Sequence, residues 1–521
     1  MRSPWYPNYV LCALERFASF GSRTALTQRN RRLNYTQARQ VVLDIADRLR
    51  AEDVRPGDVV GVFSGLQIES PLLQLALHLV GVRSVWIDVT AMPSEVDQYL
   101  KLSALDALVY DTRGVAESGA ALGRRLGVRM LCLGPHGEGP DLLTRGPAHG
   151  DPVAADTEPE SVFQTSGTTG VPKSVHHRQV FYARLGELAD ELVAADQWRT
   201  RHLSFSRLSH PAGQISSLLY LFSGGSLVFV PGFEPAALLA AVAGERATSM
   251  YMAPPMFYQL LDHPALADAD LSSLTTVNIG GSALNPTRLR QGIERFGPIL
   301  RVTYGLSESP FISAYPGVGT DPAHPDRLLS CGQAYGDVQV EIRDRDGKPV
   351  GIGETGELWV WSKLNFAGYW GQQDLTADAL VDGWVRTRDL ACRDADDYLY
   401  LVGRASDMIL AGPSSKCVYP RPIEDILATH PHVRAAAVIG VPDVAEGEAV
   451  HAFVVREPDV DVTVAELATL VRGRLHPSWA PRTIDFVDSL PTTAIGKVNT
   501  RALREQYARS HPTTAASVVP R

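Results

Sequence analysis

The sequence predicts an α/β protein in two parts. Residues 1–402 read as a large N-terminal domain of layered α/β subdomains with mainly parallel sheets, and residues 403–521 as a small, mobile α+β C-terminal domain. Three observations predict this. Strand-length apolar runs alternate with segments of helical period along the first part of the chain, the pattern of parallel sheets covered on both faces. That pattern changes after the apolar run Tyr398–Val402, and the chain beyond it, about 100 residues, is enough for a small domain of its own. The length of 521 residues, 45% hydrophobic and 21% charged, fits about three or four units of ordinary globular composition.

Taken in order, Thr36 is an N-cap candidate for a helix carrying Ala38, Val42, Ile45 and Leu49 on one face. Val59–Phe63 is a buried strand, Leu72–Val82 a helix, and Val85–Ile87 and Ala107–Tyr110 further strands. Gly134–Glu160 is rich in Gly, Pro and acidic residues and reads as an exposed connector. Ser161–Gln164 is a short strand entering a hydroxyl-rich turn. Leu218–Phe233, broken by Ser223-Gly224-Gly225, reads as a helix followed by a buried strand rather than a membrane span, which needs about 20 apolar residues. In the last part, Ile423–Leu427 and Val464–Leu475 are helical, and Ala435–Val441 and His451–Val455 are strands. The last dozen residues are expected to fray. No repeat of solenoid period occurs.

Composition excludes several classes. The charge of −9 does not favour a nucleic-acid binder. The five cysteines, Cys12, Cys132, Cys331, Cys392 and Cys417, are scattered and form no C-x-x-C pair, which argues against a disulfide framework or a cysteine zinc site. The N-terminus lacks the apolar core of a secretory signal. The expectation is a cytoplasmic protein without a membrane span. Only six of the 49 basic residues are lysine. Where Lys stands in so Arg-rich a chain, its compact point charge is worth following; Lys173 and Lys497 are two of the six.

The most informative segment is Thr165-Ser166-Gly167-Thr168-Thr169-Gly170-Val171-Pro172-Lys173. Its glycines allow close backbone approach to a ligand, its hydroxyls add donors, and Lys173 closes it with a positive charge, a set suited to a polyphosphate. It is not the G-x-x-x-x-G-K-[ST] loop, because Pro172 stands where that pattern has Gly.

The whole string resembles the signature of the adenylate-forming (ANL) superfamily: acyl-CoA synthetases, luciferases and nonribosomal-peptide adenylation domains. The resemblance runs from about residue 20 to residue 505 and is carried by further motifs. Gly280-Gly281-Ser282-Ala283-Leu284 resembles the segment that packs on adenine. Tyr304-Gly305-Leu306-Ser307-Glu308 resembles Y-G-x-T-E, with Ser307 for Thr. Thr387-Arg388-Asp389 resembles T-G-D, Gly403–Asp407 resembles the hinge motif with Arg404, and Pro491–Lys497 resembles the loop of the adenylation lysine.

The resemblance implies ATP and Mg²⁺ as cofactors. It implies Lys497, Glu308 and Lys173 as catalytic residues, Glu308 also holding the metal. It further implies Tyr304 against adenine, Asp389 and Arg404 on the ribose, and Ser406 at the hinge. The pocket for the acid would include His210, Gly213, Gly281 and Ser309. Adenylation domains for α-amino acids usually place an Asp near His210, and none stands here, so an aryl or medium-sized aliphatic acid is favoured.

The implied reaction is attack of a carboxylate on the α-phosphorus of ATP, giving an acyl-adenylate and pyrophosphate, then transfer of the acyl group. A carboxylate is ionised at neutral pH, so no general base is needed. The leading acceptor is coenzyme A, or the phosphopantetheine thiol of an acyl carrier protein. Two departures bear on this. Ser174 replaces the usual Gly after Lys173, and Ala411–Pro420 is two residues longer than in relatives, where this loop lines the thiol tunnel. The alternatives are a non-thiol acceptor (an amine, or nitrite in a diazotase-type reaction) and a catalytically inactive nucleotide-binding protein.

Overall fold

A computed structural model describes residues 3–6, 8–144, 152–165, 173–320, 323–411, 416–443, 447–458, 460–475, 477–492 and 498–511. The fold is mixed α/β, with two large, mainly parallel sheets in the N-terminal part and a smaller C-terminal part. In the nine-stranded sheet, Leu300–Tyr304, Thr276–Gly280, Ser249–Met252, Arg201–Ser204, Ser226–Phe229 and Thr24–Gln28 lie side by side and parallel. In the seven-stranded sheet, Glu160–Thr165, Arg83–Trp86, Val59–Phe63, Ala107–Asp111 and Arg129–Leu133 do the same. A five-stranded antiparallel sheet is built from strands between residues 339 and 404, and another five-stranded sheet from strands between residues 409 and 486.

The largest core is the layer of helices packed between the two large sheets. It joins Tyr9, Phe17, Tyr35, Leu49, Leu72 and Tyr182, all fully buried. Their transfer from water is the main stabilising term, roughly 1.5–3 kcal/mol for each large side chain. One buried polar knot lies in this layer. The Tyr9 hydroxyl bonds His78 Nδ1 (2.7 Å), Trp86 Nε1 donates to Gln74 (2.9 Å), and Ser84 bonds Ser161 (2.6 Å). Burial lowers His78 to a pKa of about 3, so the knot is held by a neutral imidazole.

The structure corrects three local expectations. The first of these helices spans Tyr35–Ala51 and is capped by Asn34 rather than Thr36. Asn34 accepts from Gln37 N while the Gln37 side chain accepts from Asn34 N, a reciprocal capping box. The second helix is Ser70–Val80 and stops at Gly81, whose φ of 84° ends it two residues before Val82. The connector after Gly134 is not exposed throughout. Leu142 is fully buried, and Cys132 pairs with the backbone on both sides of it: Cys132 N donates to Pro140 O and Leu142 N to Cys132 O, each at 2.9 Å. The expected strand Val59–Phe63 and the helix-then-strand reading of Leu218–Phe233 match Pro211–Ser223 followed by Ser226–Phe229.

Among the described residues, Cys12, Cys132, Cys331 and Cys392 are free thiols, and no group of three or more His, Cys, Asp or Glu could hold a metal ion. No helix among them is long and apolar enough to cross a membrane. The last ten residues, 512–521, lie outside the described residues.

Candidate active site

The ends of the glycine- and hydroxyl-rich segment are fixed by pairing. Glu160–Thr165 runs antiparallel to Lys173–Arg178, with Thr165 opposite Lys173. Ser166, Gly167, Thr168, Thr169 and Gly170 lie outside the described residues, as do Lys497 and positions 412–415 of the altered loop.

Lys173 and Glu308 meet across one aromatic ring. Gly368-Tyr369 pairs with Val175-His176 at the edge of the seven-stranded sheet, which brings Tyr369 beside Lys173. The Tyr369 hydroxyl donates to Glu308 Oε1 at 2.7 Å, and Lys173 Nζ lies 5.0 Å from the centre of its ring. Burial, then the Glu308 charge and its hydrogen bond, pushes the Tyr369 hydroxyl above its ordinary pKa. Tyr369 therefore stays a neutral donor and keeps the carboxylate oriented.

The segment bearing Glu308 is held from several sides. Phe366 N donates to Glu308 O at 2.7 Å, and His177 Nε2 donates to Ser307 O at 2.9 Å. Burial lowers His177 to a pKa of about 3, so it too is a neutral donor. Gly305 allows the chain to fold back, since a Cβ there would sit 2.9 Å from Phe311 N; Phe311 itself has φ 55°. Ser309 is fully buried and its hydroxyl donates to Asn365 at 2.7 Å. It braces the turn at the position expected to line the acid pocket.

A second cluster forms where Tyr304 ends its strand. Its hydroxyl donates to Asp389 Oδ2 at 2.6 Å, and Arg404 Nε donates to Asp389 Oδ1 at 3.0 Å. Asp389 and Arg404 are cross-strand partners, so the sheet register sets this pair. Thr387 ties the turn down, donating to Leu358 O at 2.7 Å and accepting from Asp389 N at 3.1 Å. Arg388 between them has φ 62°, the left-handed conformation that favours glycine. This explains the Gly of the resembling T-G-D motif. Ion pairing to Asp378 holds the Arg388 side chain outward.

Gly280 and Gly281 lie beside this cluster. Gly280 pairs with Thr303, and a Cβ on it would fall 2.4 Å from Thr303 Oγ1. Gly281 has φ 91° and faces the Tyr251 hydroxyl. Ser282 comes next, half-buried. His210 caps the helix Pro211–Ser223, its Nδ1 accepting from Ala212 N at 3.2 Å, so it is a cap as well as a candidate pocket wall. Gly213 fits against backbone, where a Cβ would lie 2.2 Å from Arg207 O. Ser406 is exposed in a short turn, Ala405–Asp407, between the two C-terminal sheets.

Residues 14–370 match the AMP-binding enzyme family, and residues 422–497 match the AMP-binding enzyme C-terminal domain. The chain belongs to the AMP-binding enzyme family. It is thus a member of the adenylate-forming superfamily and an AMP-forming ligase. It is 32% identical over 499 residues to a feruloyl-CoA synthase of Amycolatopsis sp, covering 93% of this chain and 96% of that one. It is 39% identical over 367 residues to the medium/long-chain fatty acid–CoA ligase FadD8 of Mycobacterium tuberculosis; that match covers 68% of this chain and 63% of the relative, less than two thirds of its length. The solved structure of amide bond synthetase McbA from Marinactinospora thermotolerans is similar with a TM-score of 0.88 at 33% identity, covering 96% of this chain and 99% of that one.

Sequence motifs pointed to Lys173, Glu308, Tyr304, Asp389 and Arg404, and the fold brings the first two together around Tyr369 and the last three into one cluster. Tyr369, His177 and Asn365 escaped the sequence reading. Each acts through a contact more than 50 residues away along the chain, and no local pattern marks it.

Proposed function

We propose that this AMP-binding enzyme activates a small aryl or aliphatic carboxylic acid with ATP, forming an acyl-adenylate and pyrophosphate, and then transfers the acyl group to a thiol. Residues 1–402 would form the nucleotide- and acid-binding domain and residues 403–521 the small domain that carries Lys497. The observation that carries the reading is the pair Lys173 and Glu308, held apart by Tyr369 beside the glycine- and hydroxyl-rich segment.

In this reading, Ser166–Gly170 and Lys173 receive the phosphates, and Tyr304, Gly280, Gly281 and Ser282 receive the adenine. Asp389, held between Tyr304 and Arg404, accepts from the ribose hydroxyls. The residues present suit Mg²⁺: hard cations prefer oxygen ligands, and the Glu308 carboxylate is held at one oxygen by Tyr369. When bound, the ion would neutralise phosphate charge. Two anions must be brought together, so orientation and positive field account for the chemistry, and no proton relay is required. Lys497 would add its charge to the reacting phosphate; removing one such group typically costs about 10²–10³ in rate.

The thiol reading rests on similarity to CoA ligases along most of the chain. A second reading, an amine as acceptor, is favoured by the similarity to an amide bond synthetase over 96% of the chain. Pyrophosphate release is measured with MgATP, a panel of acids, and coenzyme A, hydroxylamine or amines. Release with thioester formation supports the first reading. Release with hydroxylamine or amines but never with coenzyme A supports the second. No release with any acid, or a Lys497→Ala variant that exchanges pyrophosphate at the wild-type rate, sinks the adenylation reading.

A further inference from the structure

Parallel strands covered on both faces normally read as near-continuous apolar runs. Three neighbours in the nine-stranded sheet do not: Ser249-Met250-Tyr251-Met252, Thr276-Val277-Asn278-Ile279-Gly280 and Leu300-Arg301-Val302-Thr303 alternate apolar with polar or glycine. Their apolar members are buried in one core, on the side of the helix Pro286–Phe296. The polar members face the other way, toward the helix Pro211–Ser223. Tyr220 of that helix hydrogen-bonds Ser249 at 3.3 Å and stacks on His202 of the adjoining strand at 4.6 Å. An interior sheet face is thus walled with hydrogen-bonding groups, and Tyr251, Asn278, Arg301 and Thr303 on it stay only half-buried.

The wall has a top and a bottom. Gly280 and Thr303 are register partners at the top, beside Gly281 and Tyr304. Asn278 and Arg301 are register partners two residues lower, about 6–7 Å away at the rise of a parallel strand. Arg301 pairs with Asn278, and Asn278 with Tyr251, so it belongs to the same polar face as Ser249, which Tyr220 of the helix contacts. Among the described residues Arg301 has no ion pair and no hydrogen bond, and no acidic side chain stands on the wall. A guanidinium on an interior wall with no acidic partner is free to receive one, and its planar fork is shaped for a carboxylate.

The geometry points to Arg301 as the specificity-determining residue of a second anionic subsite: the acid activated here carries a further carboxylate, about a ring's length from the reacting one, received by Arg301 with Asn278 and Tyr220 beside it. This rests on the proposed acid-ligase reading, in which the acid lies between this wall and the helix Pro211–Ser223, its reacting carboxylate near Gly281.

The test uses matched probes: 4-carboxycinnamic acid against cinnamic acid, and suberic acid against octanoic acid. ATP–pyrophosphate exchange and a fluorescence titration of each acid without nucleotide are run on the full-length wild type, Arg301→Met and Arg301→Lys. In at least one pair the wild type is expected to favour the diacid by about tenfold or more, in kcat/KM and in binding. Arg301→Met brings the diacid-to-monoacid ratio to about one, a loss of about 10–100-fold from removing a charged hydrogen-bonding partner. Arg301→Lys retains part of the preference. Exchange that shows no diacid preference, or a preference that survives Arg301→Met, overturns this inference and leaves the ligase reading standing. Tighter binding of the diacid through Arg301 with no exchange for any acid overturns the ligase reading instead.

Discussion

The Tyr304 hydroxyl donates to Asp389 at 2.6 Å while Arg404 holds the other oxygen of the same carboxylate at 3.0 Å. Burial, then the charge of Asp389 and the hydrogen bond, raises Tyr304 well above the ordinary phenol range, so the tyrosine remains the donor. Tyr304→Phe removes one hydrogen bond to a charged group and is expected to cost about 1.5–3 kcal/mol of stability in urea unfolding. Asp389→Ala also removes the proposed ribose acceptor. Calorimetric titration with AMP should show a larger loss of affinity for Asp389→Ala than for Tyr304→Phe.

Tyr369→Phe keeps the ring beside Lys173 but frees Glu308 from its hydroxyl. The magnesium concentration for half-maximal pyrophosphate exchange should rise several-fold, with a smaller change in the KM for the acid. An unchanged magnesium requirement would show that Glu308 needs no such brace.

Gly280→Ala places a Cβ 2.4 Å from Thr303 Oγ1 and 2.5 Å from Thr303 O. The backbone contact cannot be relieved by a rotamer change, so the strand must shift beneath the adjoining Gly281. Nucleotide affinity should fall by more than tenfold, measured with a fluorescent ATP analogue, while circular dichroism stays close to wild type.

Arg388 occupies φ 62°, where glycine carries no steric penalty. Relieving a left-handed non-glycine residue is worth about 1–2 kcal/mol, and the exposed ion pair with Asp378 offsets only part of it. Arg388→Gly should leave stability unchanged or raise it by about 1 kcal/mol in thermal unfolding.

Stability should fall in mild acid. Burial lowers His78, His177 and His202 to about 3, and burial, partly opposed by Asp485, lowers His451 to about 4. Each ring stays neutral in the fold but takes a proton in the unfolded chain below about 6.5, so the unfolded state binds more protons. Stability is therefore full above that pH and is lost as pH falls from about 6.5 towards 4 and 3. Glu424 acts oppositely: burial raises it to about 7, so between its ordinary value and pH 7 it costs stability as pH rises. Urea unfolding from pH 8 to 4 should show a net decline towards acid, and Glu424→Gln should stabilise chiefly at the alkaline end.

Local sequence carried a good deal. The alternation of apolar runs placed the parallel strands, and the string Thr165–Lys173 with Tyr304–Glu308, Asp389 and Arg404 marked the family, because these residues sit in short contiguous motifs. It misplaced the cap at Asn34 and the buried Leu142, since both depend on bonds to neighbours already folded.

By itself, then, the sequence determined the α/β class and the family, both of which are written in local periodicity and short motifs. Only the tertiary structure decided that Tyr369 stands between Lys173 and Glu308, that Ser309 braces Asn365, and that Arg301 lies on the polar face of its sheet without a counter-ion among the described residues. The physical reason is the same in each case. Strand register and packing between layers join residues far apart in the chain, and a partner that is set by the three-dimensional pairing of sheets leaves no mark in the residues next to it.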